Sequence, residues 1–183
     1  MPDNLMPDNL MPDCAYEVRK ATALDVSMLV GLAQATQATL TRAGSVQRIA
    51  GYSLQNMSQR VERGEAYALE ANGSILGGVF VEPVTPERFP QVVGWDVAPV
   101  GRPLWFLYGL VIGPAWRGRG WGRALLDGLR EQEAFAAPAV LTLDCWAGNR
   151  KLRRFYSEAG FRLHGVFPEG NYQIAVFRWA ASP

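Results

Sequence analysis

The first patterned stretch is Tyr16-Glu17-Val18-Arg19-Lys20, where apolar and polar side chains alternate with the period of two that suits a strand with one buried face. Thr22 and Asp25 follow at N-cap spacing. Leu29, Leu32 and Ala33 then recur at helical intervals, which predicts a helix. Over residues 36–56 the pattern gives way to Thr, Ser and Gln with two glycines, a helix break before a second amphipathic segment ending near Gly64. Residues 66–70 and 75–81 flank Asn72-Gly73, the pair that two-residue hairpin turns favour because both positions take positive φ.

The pattern fades again over residues 82–103, which hold Pro83, Pro86, Pro90, Pro99 and Pro103, with Trp95 and Asp96 near the middle. A connection longer than about 12–15 residues is usually functional or mobile. Leu104–Ile112 is almost continuously apolar, as expected of a central strand covered on both faces. Residues 122–133 carry Ala124, Leu125 and Leu129 at helical spacing, with Ala134 continuing the series. Residues 140–145 read as another buried strand, and residues 149–159 as a helix closed by Gly160. Residues 161–166 and 172–179 make a last pair of strands. Mixed strand and helix with a hairpin early and another late predicts an α+β fold.

Composition narrows the chemistry. The 183 residues fit one domain, expected over residues 15–183. Ahead of it, Met1-Pro2-Asp3-Asn4-Leu5 recurs as residues 6–10 and begins again at Met11-Pro12-Asp13. A five-residue unit is too short for a solenoid repeat of about 20 residues or more, so residues 1–14 read as a flexible tail, and three methionines leave the true start open. A formal net charge of +1 offers no general attraction to nucleic acid or an anionic membrane. Cys14 and Cys145 are too few for a disulfide framework and lack metal-ligand spacing, so no metal is expected. The apolar runs fall short of a membrane span and the start lacks a secretory pattern, which points to the cytoplasm. Any anion has to be caught locally.

Leu110-Val111-Ile112-Gly113-Pro114-Ala115-Trp116-Arg117-Gly118-Arg119-Gly120-Trp121-Gly122 supplies such a place. A strand ends at Ile112, Pro114 stops its ladder, and glycines at alternate positions let the backbone approach whatever sits above it. The helix that follows leaves its first N–H groups without internal partners and points its positive dipole end the same way. That combination suits a di-anion such as pyrophosphate. The same turn would also serve as a tight strand-to-helix connection. A dinucleotide fingerprint would need glycine where Arg123 stands, and the Gly-Lys-Ser/Thr ending of a P-loop is absent. Further on, Asn149 and Tyr156 lie seven residues apart, two helical turns, before Glu158-Ala159-Gly160-Phe161. By themselves they read as a helix N-cap and a core aromatic.

Taken together, these segments resemble the GNAT superfamily of N-acetyltransferases. The acetyl-CoA loop of that family has the form Arg/Gln-x-x-Gly-x-Gly/Ala, and Arg117-Gly118-Arg119-Gly120-Trp121-Gly122 fits at every position. The resemblance extends over about residues 16–180 and implies a central mixed, mostly antiparallel sheet of six to seven strands flanked by about four helices. It further implies that acetyl-CoA is held by Leu110, Val111, Ile112, Arg117, Gly118, Arg119, Gly120, Gly122 and Arg123. In the family's second motif the Asn149 position contacts the pantetheine arm, and the Tyr156 hydroxyl sits near the CoA sulfur. A main-chain N–H on the strand ending at Ile112 would then serve the thioester carbonyl, and Tyr156, protonated at neutral pH, would be the general acid for the departing thiolate.

The sequence departs from the family at the general base. Many members carry a glutamate on the strand entering the loop, whereas Leu104–Ile112 has no carboxylate and offers Tyr108. Glu82, Asp96 and Asp144 are the remaining carboxylate candidates, with a water chain as an equal alternative; Asp144, between Leu143 and Cys145, also suits a hydrogen-bonded structural role. Trp95, Asp96 and Tyr108 are candidates for an aromatic and acidic pocket around a cationic amine. His164, the one histidine, reads as a surface or strand-edge residue. Arg150, Lys151, Arg153 and Arg154 form a basic helix face from which one or two side chains could meet an adenosine 3′-phosphate together with Arg119 or Arg123. The expected activity is acetyl transfer to a primary amine of a small molecule or peptide. A non-catalytic acyl-CoA sensor and a nucleotide-binding module are the competing readings, and a homodimer is left open.

Overall fold

The computed structural model describes residues 15–42, 49 and 52–180. The expected tail of residues 1–14, Cys14 included, lies outside the described residues, as do several positions of the 36–56 segment. The strands are β1 (Tyr16–Lys20), β2 (Ala66–Ala71), β3 (Ser74–Pro83), β4 (Leu104–Ile112), β5 (Val140–Trp146), β6 (Arg162–Glu169) and β7 (Tyr172–Ala180). The helices are α1 (Val26–Arg42), α2 (Leu54–Glu62), α3 (Pro90–Gly94), α4 (Trp121–Arg130) and α5 (Arg150–Glu158). The strands form one seven-stranded sheet in the order β1-β2-β3-β4-β5-β7-β6. Four of its pairings, β1–β2, β2–β3, β5–β7 and β6–β7, are antiparallel, and β4–β5 is parallel. The α+β expectation and the strand count hold. Two compact units divide the chain, Met1–Phe80 with Gly109–Leu129 and Val81–Tyr108 with Arg130–Pro183. No helix among the described residues is long and apolar enough to cross a membrane.

In the first unit, the Asn72-Gly73 turn joins β2 to β3 with φ of 50° and 71°, as the hairpin signal requires. Asp25 opens the segment leading into α1: its carboxylate accepts from the Thr22 backbone N–H at 2.7 Å and from the Thr22 hydroxyl at 2.9 Å. The Arg19 guanidinium on the same carboxylate, at 2.7 Å, holds Asp25 down at about 2. The helix then runs beyond the expected break, through Thr36 to Arg42. Thr36 is buried, and its hydroxyl donates to the Ile112 carbonyl at 3.4 Å, which explains a polar residue on the inner face. α4 packs Trp121, Ala124, Leu125, Leu126 and Leu129 inward, and a Cβ on Gly128 would lie 2.6 Å from Val18.

In the second unit, β5 pairs with β7 along its whole length, while its parallel ladder with β4 covers only Leu104–Phe106 against Val140–Thr142. Val92, Trp95, Val97, Phe106, Val140, Ile174 and Val176 form the core there. The residue 82–103 connection is thus not a structureless loop: its first two residues complete β3, α3 forms within it, and three of its side chains are core. Arg130, which ends α4 short of the expected Glu133, caps α5 instead: its guanidinium donates to the Ala159 carbonyl and lies over the rings of Phe161 and Trp179 at 4.8 and 5.1 Å. Ala134 falls in a separate 3-10 turn.

Two glycines test the packing in opposite directions. A Cβ on Gly77 would sit 2.3 Å from the Val111 carbonyl oxygen, so Gly77→Ala should lower stability by about 1–3 kcal/mol. Gly31 is exposed within α1 with nothing near its Cβ position, so Gly31→Ala should raise stability by about 0.5–1 kcal/mol. Urea unfolding midpoints of the two variants check both signs.

Candidate active site

The glycine-rich loop belongs to the first unit, where β4 ends at Ile112. The Ile112 carbonyl accepts from the Thr36 hydroxyl and, at 3.2 Å, from Arg117 Nε, so the loop is tied back to the strand it leaves. Gly113 donates to the Leu76 carbonyl at 2.9 Å, and a Cβ there would lie 2.7 Å from Leu32, which explains the glycine at the strand exit. A 3-10 turn, Pro114–Trp116, carries the chain to Arg117. Gly118 and Gly120 then take φ of 71° and 79°, in the left-handed region where a side chain is penalised, and no atom lies within 4 Å of a Cβ position on Gly118.

The first backbone bond of α4 runs from Ala124 N–H to the Gly120 carbonyl at 3.0 Å. The N–H groups of Trp121, Gly122 and Arg123 therefore precede the helical ladder and have no intrahelical acceptor. Trp121 fixes this helix end, its buried ring meeting Tyr16 edge-on at 6.1 Å. Arg117 and Arg119 are exposed, Arg119 lies 5.9 Å over the Trp116 ring, and Arg123 Nε pairs with Asp127 at 2.6 Å. The structure so gathers N–H groups that precede the helical ladder, a positive dipole end and guanidinium groups at one loop, an arrangement that stabilises an anion. Of the candidate strand residues, Leu110 is half-buried, and Val111 and Ile112 are buried. Sequence reasoning missed Gly109, whose φ of 63° interrupts the regular pleat just before Leu110 and whose carbonyl accepts from the Tyr52 hydroxyl at 2.8 Å. An isolated glycine inside an apolar strand was the available signal.

The second unit holds the titratable candidates. Asn149 caps α5, its Oδ1 accepting from Leu152 N–H at 3.0 Å. Tyr156 is buried on the same helix against Phe161 and Phe177, and burial, with Cys145 and Asp144 acting in the same direction, pushes its hydroxyl above the ordinary phenol range. Burial also lifts the Cys145 thiol up to about 11, which keeps it protonated and unreactive. Asp144 is pushed up to about 6, first by burial and then by the charge of Glu169. Arg150, Arg153, Arg154, Ser157, Leu163 and Phe177 line a groove beside this helix.

Trp95 and Tyr108 share one aromatic group. Phe106 meets Trp95 at 6.0 Å and stacks on Tyr108 at 5.4 Å, and Phe89 lies edge-on to Phe106 and Tyr108. Asp96, by contrast, is an exposed turn residue with φ of 52° after α3. His164 Nε2 lies 2.8 Å from the Trp95 carbonyl and Arg178 Nη1 donates to the Val97 carbonyl at 3.2 Å, so the late strands hold this turn in place. Glu82 is 2% exposed, and both the Tyr108 hydroxyl and the Arg88 guanidinium donate to its carboxylate. The pairing was hidden in the sequence because Glu82 and Tyr108 stand 26 positions apart.

The model of the Acetyltransferase (GNAT) family matches residues 33–161. Among solved structures, a GNAT-family acetyltransferase from Streptococcus agalactiae 2603 superposes with a TM-score of 0.73 at 18% identity, covering 96% of this chain and 100% of its own. One from Listeria monocytogenes 4b F2365 gives 0.69 at 20%, with 90% and 94% covered. The paiA N-acetyltransferase from Thermoplasma acidophilum, solved in complex with coenzyme A, gives 0.63 at 15%, with 90% and 99% covered. No curated protein sequence matches the chain.

The Asp144 environment has a measurable consequence. An acid whose folded-state pKa is raised costs stability once ionised, so stability falls as pH rises from the ordinary carboxylate range through about 6. Asp144→Asn should therefore stabilise the protein at pH 7.5 by about 1–3 kcal/mol and lose that advantage near pH 4, as followed by thermal unfolding at both pH values.

Proposed function

Because the chain belongs to the Acetyltransferase (GNAT) family, we propose that it transfers the acetyl group of acetyl-CoA to a primary amine of a small molecule or peptide, by direct attack in a ternary complex. The observation that carries this reading is the start of α4. N–H groups without intrahelical acceptors, bared by left-handed Gly118 and Gly120, are the chemistry that pyrophosphate binding requires. In this reading the backbone from Arg117 to Gly122 holds the pyrophosphate, with Arg117, Arg119 and Arg123 adding positive charge. Leu110, Val111 and Ile112 lie along the pantetheine arm. The role of Asn149 toward that arm follows from the family resemblance.

The reaction adds the neutral amine nitrogen to the thioester carbon, places negative charge on the carbonyl oxygen, and then breaks the C–S bond. A strand N–H of β4 serves the oxyanion. Tyr156, whose burial keeps its proton on, donates that proton to the departing thiolate. The proton lost by the nitrogen goes to Asp144, whose raised pKa brings it towards neutrality, or to a chain of waters. The reading takes residues 15–183 as one catalytic domain, and the chemistry as drawn needs no metal.

Calorimetry and a thiol-release assay with an amine panel test this account. Gly120→Val places a branched side chain at a φ of 79° and should weaken acetyl-CoA binding by more than about tenfold, roughly 1.4 kcal/mol. Tyr156→Phe should lower kcat by about 100-fold or more while leaving acetyl-CoA affinity within about twofold of the parent. Binding of acetyl-CoA without thiol release for any amine would favour a sensor over a transferase.

A further inference from the structure

The start of α5 carries the wrong sign of charge for a helix N-terminus. The positive dipole end favours acids in the first turn, yet α5 has none there and opens with Arg150, Lys151, Arg153 and Arg154. Arg150 also stands at the i+3 and i+4 spacings from Arg153 and Arg154, where like charges destabilise a helix. Arg154 is offset by Glu158 at 2.6 Å. Among the described residues, no carboxylate stands within ion-pair distance of Arg150 or Arg153. Arg153 donates from Nη1 to the Ala147 carbonyl at 3.2 Å, while its Nε–H is buried and meets no acceptor. Two guanidinium charges are thus uncompensated, and a buried donor lacks the bond that such groups ordinarily make.

These groups share one groove. Arg150, Arg153, Arg154 and Ser157 line it over a volume of about 200 Å³, and Leu163 and Phe177 add apolar surface. All six residues belong to the second unit. The volume is below the roughly 300–1,000 Å³ of pockets that enclose a drug-sized ligand, which restricts the occupant to a small molecule or the end group of a larger one. Guanidinium forks match the geometry of phosphate and carboxylate. Two uncompensated positive charges favour the group that carries about two negative charges near neutral pH, a phosphate monoester, over a carboxylate. We propose that this groove binds a phosphate monoester with a small apolar body, its oxygens toward Arg150, Arg153 and Ser157 and its carbon atoms toward Leu163 and Phe177. The proposal does not rest on the acetyltransferase reading, whose glycine-rich loop belongs to the first unit. Free phosphate esters and the adenosine 3′-phosphate of CoA share this chemistry, and the test separates the two sources.

The test is calorimetry of the full chain with phenyl phosphate at pH 7.5. The wild type should bind it with a Kd below about 1 mM, and should bind benzenesulfonate, the same ring with a single negative charge, about tenfold more weakly or worse. Arg150→Gln, at a position whose side chain is exposed, should weaken phenyl phosphate binding by about tenfold or more. Arg150→Glu should lose the binding and raise the melting temperature of the unliganded protein by about 1–4 °C, because an acid suits the helix start. Absence of binding by the wild type, equal binding of the sulfonate, unchanged affinity in Arg150→Gln or a lowered melting temperature in Arg150→Glu would overturn the proposal. The source is read by repeating the titration with saturating acetyl-CoA. Binding that persists assigns the groove to a free ester. Binding blocked by acetyl-CoA but not by its 3′-dephospho analogue assigns it to the phosphate of the CoA itself, and either result upholds a phosphate-monoester site. Blocking by the dephospho analogue as well would place the probe at the glycine-rich loop and overturn the proposal.

Discussion

The first unit is organised around a helix whose first N–H groups precede its own hydrogen-bond ladder. Nothing in the ladder of α4 uses the N–H of Trp121, Gly122 or Arg123, and the preceding glycines hold a conformation that side chains resist. Such an end is tolerable only where water or an anion can reach it, and Gly118 is exposed with open space at its Cβ position. The surrounding packing serves to hold the end still. Trp121 is set against Tyr16, Gly128 lets α4 approach Val18, and Gly113 lets β4 turn away beside Leu32. Each donor contributes modestly, since a charge at a helix terminus is worth about 0.3–1 kcal/mol at the surface, so several aligned donors are needed to grip two linked phosphates.

The second unit sorts its titratable groups by environment. Tyr156 and Cys145 are buried, and burial holds the proton on both. Asp144 is lifted by burial and by the charge of Glu169, while Glu82 is taken up by Arg88 and Tyr108. Three acids of similar intrinsic strength, Asp25, Glu82 and Asp144, thus end in three different situations because of what surrounds them. Leu104–Ile112 itself carries no carboxylate, and the polar group it offers, the Tyr108 hydroxyl, donates to Glu82.

Much of this was legible in the sequence wherever local chemistry decides structure. The Asn72-Gly73 hairpin, the Thr22–Asp25 start, the closing Gly160 and the glycine-rich loop depend on backbone preferences that neighbouring residues reveal. What escaped depends on distant partners. Thr36 continues α1 because its hydroxyl reaches the Ile112 carbonyl, a contact invisible to helical periodicity. α3 sits in a proline-rich stretch because Val92 and Trp95 find a core made of strands far along the chain. Asn149 illustrates the limit for the site itself: its side-chain oxygen caps α5, so the residue satisfies the local reading whatever it does for a ligand.

The most direct measurement is a ¹⁵N–¹H NMR titration of the protein with acetyl-CoA, read at the loop amides. The account predicts that the signals of Gly118, Gly120 and Gly122 move downfield as their N–H groups take up phosphate oxygens, saturating together with the calorimetric isotherm. Saturation with those three signals unmoved, while others shift, would contradict it.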